Sequence, residues 1–377
     1  MSVKVIANYL PQYHSIPEND AWWGKGYTDW VAVKKSTPLY EGHNQPRIPY
    51  NNNYYSLDDL DTVKWQAEIA RKYGVYGFGI YHYWFNSQMH LLDKPVLILE
   101  ENKDIDINYM FIWDNSTWKR TWSNVDFSND WAPLYENEGS QINKQGTGIL
   151  AELIYGDEKD WEKHFNYLLN FFNDSRYIKK DNKPVFAIYN QNNDVNTLNK
   201  MCDYWDKLAK QNGFDGVAII GKTNNQSISF AEYSFLYEPE WSGWLWHNQF
   251  ERVKNKLYVK KCNLQKAPIM YDYDKIYKKI IKNAKKNTDK NCYFSGFVSY
   301  DDTPRRGVNG KIVQGSTPEK FEIYIKKLIE ISRNQGKDYL FITAWNEWGE
   351  GAYLEPDSKY EYAYLESLKK AIESVNK

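Results

Sequence analysis

Eight short runs of β-branched and aromatic residues, separated by longer segments of helical spacing, constrain the fold of this chain more than any other feature. The runs begin at Val3, Val75, Ile107, Lys183, Gly216, Tyr233, Cys292 and Asp338. Segments with helical spacing begin at Leu60, Asp160, Val195, Tyr273 and Thr317. Strands that alternate with helices form parallel sheets, so eight of them predict an α/β fold, a closed (β/α)8 TIM barrel.

An open doubly wound sheet would also satisfy this alternation, but no GxGxxG motif follows the first strand. We find no internal repeat, low-complexity tract or linker rich in Pro, Gly and Ser along the 377 residues. Barrels of this kind reach such a length as one unit. We therefore expect residues 1–377 to form a single barrel domain, with its active site at the C-terminal ends of the strands.

Charge and cysteine content narrow the classes of partner and cofactor. The formal net charge of -1 gives no global basic field, so neither nucleic acid nor an anionic membrane surface is expected as a partner. No apolar run approaches the roughly 18 residues of a membrane span. Three cysteines without a CxxC pair, and no HExxH spacing, predict neither a disulfide framework nor a metal site, and no cofactor is expected. The N-terminus lacks a signal-peptide pattern, which predicts a cytoplasmic protein; the oligomeric state stays open.

Aromatic residues make up 17% of the chain, with 16 Trp and 32 Tyr, and many follow the predicted strands. Flat rings with polar edges suit a sugar, which has an apolar face and a hydroxylated rim; the alternative is that they fill a large core. Their concentration at the strand ends favours an oligosaccharide or polysaccharide partner. The candidate substrate-binding residues are Tyr9, His14, Trp23, His82, Trp84, Asp114, Asn115, Trp118, Glu238, Arg305, Trp345 and Asn346.

The segment "FITAWNEWGEGAYLEPD" places Glu347 and Glu350 just past the eighth strand. An extended strand would send the two side chains to opposite faces. Gly349 and Gly351 predict a turn instead, which brings its ends within about 7 Å. Glycosidases use two carboxyls roughly 5 to 9.5 Å apart, so the pair is the candidate catalytic site; the alternative is a surface turn with two solvated glutamates.

Four other groups of residues allow two interpretations each. Glu238 could face the cleft as a substrate ligand or form a structural ion pair. Arg305 and Arg306 could bind an acidic or phosphorylated sugar or lock their own loop by pairing with aspartates. His82 could hydrogen-bond a hydroxyl or a loop carbonyl, and the Trp118 segment could bind a polyol or pack under a loop.

Five blocks of the sequence together resemble the WbsX-like proteins of bacterial polysaccharide gene clusters. The blocks are "ANYLPQYHSIPENDAWWGKGYTDW", "EGHNQPRIP", "GVYGFGIYHYWFN", "SYDDTPRRG" and "AWNEWGEGAYLEPD". That group is similar to glycoside hydrolase family 99, the endo-α-mannanase and endo-α-mannosidase barrels. The resemblance implies a retaining attack on an α-linked sugar with Glu347 and Glu350 as catalytic residues. Glu347 would act as a base on the sugar's own 2-hydroxyl, giving a 1,2-anhydro intermediate, and Glu350 as general acid and then base.

The third strand departs from this pattern, because it ends in "WDNSTW" where the WbsX-like pattern has Trp-Ala-Asn-Glu-Asn-Trp. Ser116 stands in place of the acidic residue, and Asp114 is the candidate to compensate. The leading hypothesis is a retaining glycoside hydrolase acting on an α-linked bacterial surface polysaccharide or its repeat unit. The alternatives are a glycosyltransferase of O-antigen or capsule biosynthesis and a glycan-binding protein without catalysis.

Overall fold

The eight runs form eight parallel strands that close into a barrel. The computed structural model describes residues 2–122, 127–129, 149–190, 194–223, 229–245 and 249–376. Each strand pairs with its neighbours in chain order, and the eighth pairs with the first, Lys4 opposite Tyr339. The strands are β1 Lys4–Tyr9, β2 Gly77–Asn86, β3 Asn108–Trp113, β4 Lys183–Ile188, β5 Ala218–Lys222, β6 Tyr233–Phe235, β7 Cys292–Phe297 and β8 Tyr339–Thr343.

Helices surround the barrel and cover its outer face, so almost every strand position is buried. The predicted barrel is confirmed. The helices are α1 Pro17–Trp23, α2 Asp29–Lys35, α3 Leu60–Lys72, α4 Lys94–Glu101, α5 Glu158–Phe172, α6 Val195–Gln211, α7 Glu240–Gly243, α8 Gln249–Leu264, α9 Tyr273–Lys286, α10 Thr303–Arg306, α11 Pro318–Asn334 and α12 Ala363–Asn376.

Capping residues explain where the predicted helices begin and end. The Thr317 side chain accepts a hydrogen bond from the backbone N–H of Lys320, and Pro318 occupies the first helical position of α11. Helix α5 begins two residues before the predicted start because Asp157 and Asp160 form a capping box. Gly74 follows α3 with a φ of 87°, a left-handed conformation that suits glycine.

Short accessory strands follow the barrel strands at their C-terminal ends, except for Lys179–Lys180, which precedes β4 and pairs with its first residues. One sheet, placed after β6 and β7, joins three strands, Ile269–Asp272, Lys311–Gln314 and Tyr300–Asp301. The others are Met89–Leu91, Trp118–Trp122, Phe127–Asn129, Ile149–Ala151, Lys179–Lys180, Asn346–Glu347 and Ala352–Tyr353, and short 3-10 helices lie at Tyr50–Asn52, Gly307–Asn309 and Trp348–Glu350. None of the helices in the described ranges has the length and apolar character needed to cross a membrane.

Candidate active site

The turn after β8 brings the two predicted glutamates to one side of the chain. Asn346–Glu347 pairs with Ala352–Tyr353 as a short antiparallel ladder, and a 3-10 helix over Trp348–Glu350 joins them. Only glycine fits at position 349, since a Cβ there would lie 2.4 Å from Asp29 Oδ2. Gly351 closes the turn with a φ of 56°. The turn predicted from the glycines is therefore present.

Arg305 holds both glutamates through the two terminal nitrogens of its guanidinium. Nη2 donates to Glu347 Oε2 at 3.2 Å, and Nη1 donates to Glu350 Oε1 at 2.9 Å. The Arg305 side chain is 4% exposed, Glu347 6% and Glu350 24%. Glu350 is thus the rim carboxylate and Glu347 the deep one, and the pair shares one buried positive charge.

Asp29, the first residue of α2, fixes the orientation of that guanidinium. Its Oδ1 accepts from Arg305 Nε at 3.1 Å and its Oδ2 accepts from Nη2 at 2.9 Å, a bidentate pair. The same Oδ2 accepts from the backbone N–H of Gly349 at 3.0 Å. Asp29 therefore ties the arginine to the turn. Asp29 is not predicted from the sequence, because it lies 276 positions from Arg305 along the chain.

Burial and mutual repulsion govern the protonation of the pair. Burial raises the pKa of Glu347 to about 8, with further contributions from the negative charge of Glu350, while Arg305 opposes the rise. Burial also raises the pKa of Glu350, again against Arg305. Two close carboxyls titrate as a unit, so burial and mutual repulsion both favour the binding of a proton by the pair.

A buried polar network supports the turn from behind. Glu355 Oε2 accepts from Trp348 Nε1 at 2.6 Å and from Tyr55 Oη at 2.8 Å. Its Oε1 accepts from Gln66 Nε2 at 2.7 Å, and Tyr9 Oη donates to Gln66 Oε1 at 2.7 Å. Tyr9, a candidate sugar ligand, is 2% exposed and belongs to this network. The structure places it behind the turn and not in the cleft.

Trp345 and Asn346, two further candidates, are both fully buried. The Asn346 amide bonds the backbone of Leu10 in both directions, accepting at 2.7 Å and donating at 2.9 Å. Trp345 packs on Phe78 with ring centroids 5.2 Å apart. These contacts join the ends of β1 and β8, so the structure gives both residues a supporting position.

Tyrosines from opposite sides of the barrel line the space in front of the glutamates. Tyr81 of β2 and Tyr237, after β6, share a hydrogen bond at 3.1 Å. Tyr189 packs edge-on against both of their rings. Burial raises the pKa of Tyr81 and of Tyr237, and the charges of the nearby Glu347 and Glu350 add to the rise in both. These three tyrosines are not among the candidates predicted from the sequence.

His82 and Trp84 lie on the opposite face of β2, and the expectation that they line the cleft is not met. His82 Nε2 contacts His164 Nε2 of α5 at 2.8 Å, and Trp84 stacks on the same imidazole at 4.3 Å between ring centroids. Side chains alternate between the two faces of a strand. Because His82 and Trp84 point toward α5, Tyr81 and Tyr83 point to the inside of the barrel. Burial lowers the pKa of His82 to about 3, consistent with a neutral packing residue.

The loop after β3 contains three candidate substrate-binding residues, of which two lie beside the cleft and one supports the loop. Burial raises the pKa of Asp114, while a hydrogen bond from Ser116 and the charge of Lys222 lower it. Asp114 in turn raises the pKa of Tyr83, after burial, which places its carboxyl beside that phenol. Trp118 packs on Tyr83 with ring centroids 5.0 Å apart. These residues extend the wall of the cleft.

Asn115 fastens the same loop to the end of β4. Its Oδ1 accepts from the backbone N–H of Asn190 at 2.6 Å, and its Nδ2 donates to Asn190 O at 2.7 Å. Lys222 stands nearby, 3.8 Å above the centroid of the Tyr189 ring and paired with Glu240 Oε2 at 2.5 Å. The wall opposite the glutamates therefore carries a cation on an aromatic face.

His14, Trp23 and Glu238, three further candidates, are buried among other residues of the protein. His14 is 4% exposed, burial lowers its pKa, and its Nδ1 has no hydrogen-bond partner among the described residues. Trp23 is buried with its ring 5.9 Å from that of Tyr27. Glu238 accepts two hydrogen bonds from Ser242, the backbone N–H at 2.9 Å and Oγ at 2.6 Å, and so holds the first turns of the segment after β6.

Glu238→Gln is expected to flatten the pH dependence of stability. Burial raises the pKa of Glu238 to about 8, above the ordinary value of 4.5, so folding takes up a proton between these limits. The free energy of unfolding contributed by this group is then present below pH 4.5 and lost as pH rises through 8. Relative to wild type, the variant should gain about 3 kcal/mol in the free energy of unfolding between pH 5.5 and 8.5, measured by urea unfolding. Parallel pH profiles would contradict this assignment.

Within the described residues no group of three or more His, Cys, Asp and Glu side chains could hold a metal ion. The three cysteines are buried and free. The Asp272–Asp274 segment, which matches the letters of a DxD motif, begins α9, and Asp272 caps that helix by accepting from the Lys275 N–H at 2.7 Å. Its carboxylate is thus engaged in a helix cap.

Solved structures share this architecture, and curated proteins match the sequence. The GH99 endo-α-mannosidase of Bacteroides thetaiotaomicron, in complex with BIS-TRIS-propane, superposes with a TM-score of 0.56 at 14% identity, over 99% of this chain and 97% of that one. A second structure of that enzyme gives a TM-score of 0.54, also at 14% identity and over the same shares of the two chains. At this identity the likeness shows the fold alone.

Among curated proteins, WxcX of Xanthomonas campestris pv. campestris strain B100, described as uncharacterized, is 25% identical over 379 aligned residues. The match covers 98% of this chain and 49% of that protein, so the chain spans about half the length of this relative. The family model described as Glycosyltransferase WbsX matches residues 5–368. The chain therefore belongs to the WbsX family.

Proposed function

We propose that this protein cleaves an α-linked glycosidic bond with retention of configuration, using Glu347 and Glu350. The observation that carries the proposal is the convergence of both carboxylates on Arg305 at the C-terminal end of the barrel. Two carboxyls that share a proton in a buried site are what glycoside cleavage requires. The likeness of the fold to the mannosidase supports a carbohydrate substrate without identifying it.

The resemblance to family 99 suggests how the roles divide. Glu350, the rim residue, gives its proton to the leaving glycosidic oxygen as the bond to the anomeric carbon breaks. Glu347 takes the proton of the 2-hydroxyl, and that oxygen closes on the anomeric carbon to form the 1,2-anhydro sugar. Water then opens the ring: Glu350 takes a proton from the water and Glu347 returns one to the 2-oxygen. Two inversions at one carbon give net retention.

Arg305 makes this proton arrangement possible in a buried site. Its charge lowers the pKa of both glutamates against the burial that raises them. Without it, burial would raise the pKa of both glutamates further and disfavour the ionised form that a base requires. Because its guanidinium is occupied by Asp29, Glu347 and Glu350, we do not assign it to an acidic or phosphorylated substituent of the substrate.

We assign the sugar-binding wall to Tyr81, Tyr83, Tyr189, Tyr237 and Trp118. These aromatic side chains offer stacking faces and hydroxyls in front of the glutamates. The proposed substrate is an α-linked bacterial surface polysaccharide or its repeat-unit oligosaccharide. The family description, a glycosyltransferase, supports a substrate that contains glycosidic bonds.

Purified protein incubated with a panel of bacterial surface polysaccharides and repeat-unit oligosaccharides tests the proposal. Mass spectrometry should detect shortened products from at least one α-linked glycan, and the Glu347→Gln and Glu350→Gln variants should release none. Cleavage that persists at the wild-type rate in both variants would show that the two glutamates take no part in the reaction.

Glycosyl transfer is the second candidate, because the matching family model is described as a glycosyltransferase. Measuring nucleotide release from nucleotide-sugar donors in the presence of an acceptor glycan separates the two functions. Release that depends on the acceptor, without cleavage of any glycan, would favour transfer.

A further inference from the structure

Helix α8 (Gln249–Leu264) carries a row of apolar side chains that face away from the protein. Phe250 is 78% exposed, Val253 58%, Leu257 65% and Leu264 77%. These four account for nearly half of the nine large apolar side chains that are exposed in the described part of the chain. Isolated exposed apolar residues are ordinary, but a contiguous patch marks an interaction surface.

The four residues form one stripe because of their spacing. At roughly 100° per residue they fall within an arc of about 60° on the helix. The opposite side of α8 packs on the protein: Tyr258 Oη donates to Met270 O at 2.9 Å, Asn255 Oδ1 accepts from Tyr271 Oη at 3.4 Å, and Cys262 is 6% exposed. The packing therefore fixes the stripe on the outer side.

Lysines border the stripe on both sides. By the same helical geometry Lys254 and Lys261 lie along one edge, and Lys256 and Lys260 along the other, and all four are exposed. The helix holds five basic residues and one acidic residue, Glu251, in a protein whose formal net charge is only -1. The near-zero net charge of the whole protein therefore does not reflect the strongly basic surface of α8.

The helix stands at the same end of the barrel as the two glutamates. It follows β6 and packs on Ile269–Asp272, which pairs in register with Lys311–Gln314. That strand pairs with Tyr300–Asp301, directly after β7, and Arg305 follows within the same loop. The basic and apolar surface therefore belongs to the face of the protein that carries the catalytic pair.

We propose that α8 docks this face of the protein on an anionic lipid membrane. An apolar stripe bordered by lysines is the arrangement of helices that lie in a membrane interface, with the apolar side chains among the acyl chains and the lysines at the lipid phosphates. A nucleic acid would leave the apolar stripe in water. Pairing with a second copy of α8 would bring two strongly positive helices together. The proposal does not depend on the reaction catalysed.

Vesicle co-flotation tests the docking directly, with vesicles of phosphatidylcholine alone and vesicles containing one quarter phosphatidylglycerol. Wild-type protein should float with the anionic vesicles and not with the neutral ones, and binding should weaken as salt rises from 50 to 500 mM. Phe250→Ser/Leu257→Ser should reduce the partition coefficient by at least about tenfold. Lys254→Gln/Lys261→Gln should reduce it by about tenfold.

Matched controls carry the same chemical changes on other helices. Ile323→Ser removes a side chain that is 52% exposed on α11, and Lys159→Gln/Lys163→Gln removes two exposed lysines from α5. Both should bind anionic vesicles within about twofold of wild type. Equal binding by all variants, or no binding by folded wild-type protein, overturns the proposal. Self-association in sedimentation that is lost in Phe250→Ser/Leu257→Ser, without vesicle binding, overturns it in favour of a dimer interface.

Discussion

Replacing Glu350 by Gln is expected to reduce glycan cleavage by at least about 10³-fold while the protein stays folded. The amide keeps the shape of the side chain and can still accept from Arg305 Nη1, but it cannot deliver or take up a proton. Glu350 is the more exposed member of the pair, so its replacement costs little packing. Initial rates of product release at saturating glycan, with thermal melts as the test of folding, measure both parts of the prediction.

The pH profile of the same variant carries a second expectation. Removing the negative charge of Glu350 should lower the pKa of Glu347, because repulsion by Glu350 contributes to its rise. The change is observable by carboxyl NMR or by difference titration even if activity is lost. Glu373→Gln, an exposed change on α12, provides the control and should leave rate and titration unchanged. An unchanged pKa of Glu347 in the Glu350→Gln variant would show that the two carboxyls do not interact.

Arg305→Met is expected to be the most damaging single substitution in the site. It leaves Asp29, Glu347 and Glu350 around a neutral side chain in a buried position. Breaking a buried ion pair by removing one partner costs about 3–5 kcal/mol of unfolding free energy. Urea unfolding at pH 7 measures this loss. The penalty should shrink at pH 5, where the carboxyls can take up protons.

Arg306→Met is the matched control for that experiment. Arg306 is the next residue, its side chain is 38% exposed, and its ion pair is with Asp302 at 3.3 Å. Asp302 is 3% exposed, but it also accepts hydrogen bonds from the Lys311 N–H and from Tyr300 Oη, so the loss of Arg306 should cost no more than about 1 kcal/mol. Combining Arg305→Met with Glu347→Gln should recover part of the loss, because one uncompensated buried charge is removed with the arginine. Similar losses in Arg305→Met and Arg306→Met would show that Arg305 is not the counter-ion of the site.

Local sequence patterns predicted the barrel, because strand runs, helix caps and glycine stops are properties of short segments. The helix from Pro318 to Asn334 matches its predicted cap at Thr317, and Gly349 shapes the predicted turn. The convergence of Glu347 and Glu350 also follows from a local feature, the glycines between and after them. These features depend on neighbouring residues, which a single sequence displays.

The face of each strand could not be predicted in the same way. In a barrel covered by helices both faces of a strand are buried, so β2 is apolar or aromatic on both sides and its sequence does not show which face looks inward. His82 and Trp84 were therefore expected in the cleft, whereas the inward residues are Tyr81 and Tyr83. The alternation of side chains along β2 was evident from the sequence, but which of its two faces points inward depends on the packing of α5 against the strand.

Contacts between segments that are distant along the chain could likewise not be predicted from the sequence. Asp29 meets Arg305 only because α2 and the loop after β7 converge above the barrel. Tyr9 and Asn346 carry groups that could bind a sugar, yet both use them in buried hydrogen bonds within the protein. Polar residues at strand ends serve the scaffold or the ligand, and the tertiary fold decides between these uses.

Cleavage in 18O-labelled water, with the products followed by mass spectrometry, tests most directly whether Glu347 and Glu350 carry out a retaining cleavage. Wild-type protein incubated with the responsive polysaccharide should place one heavy oxygen at the new reducing end of each product, because water opens the intermediate at the anomeric carbon. Proton NMR of the first product formed should show the α-anomer. The Glu350→Gln variant should yield neither signal. Products of inverted configuration, or nucleotide-dependent chain extension without label, would contradict retaining cleavage by Glu347 and Glu350.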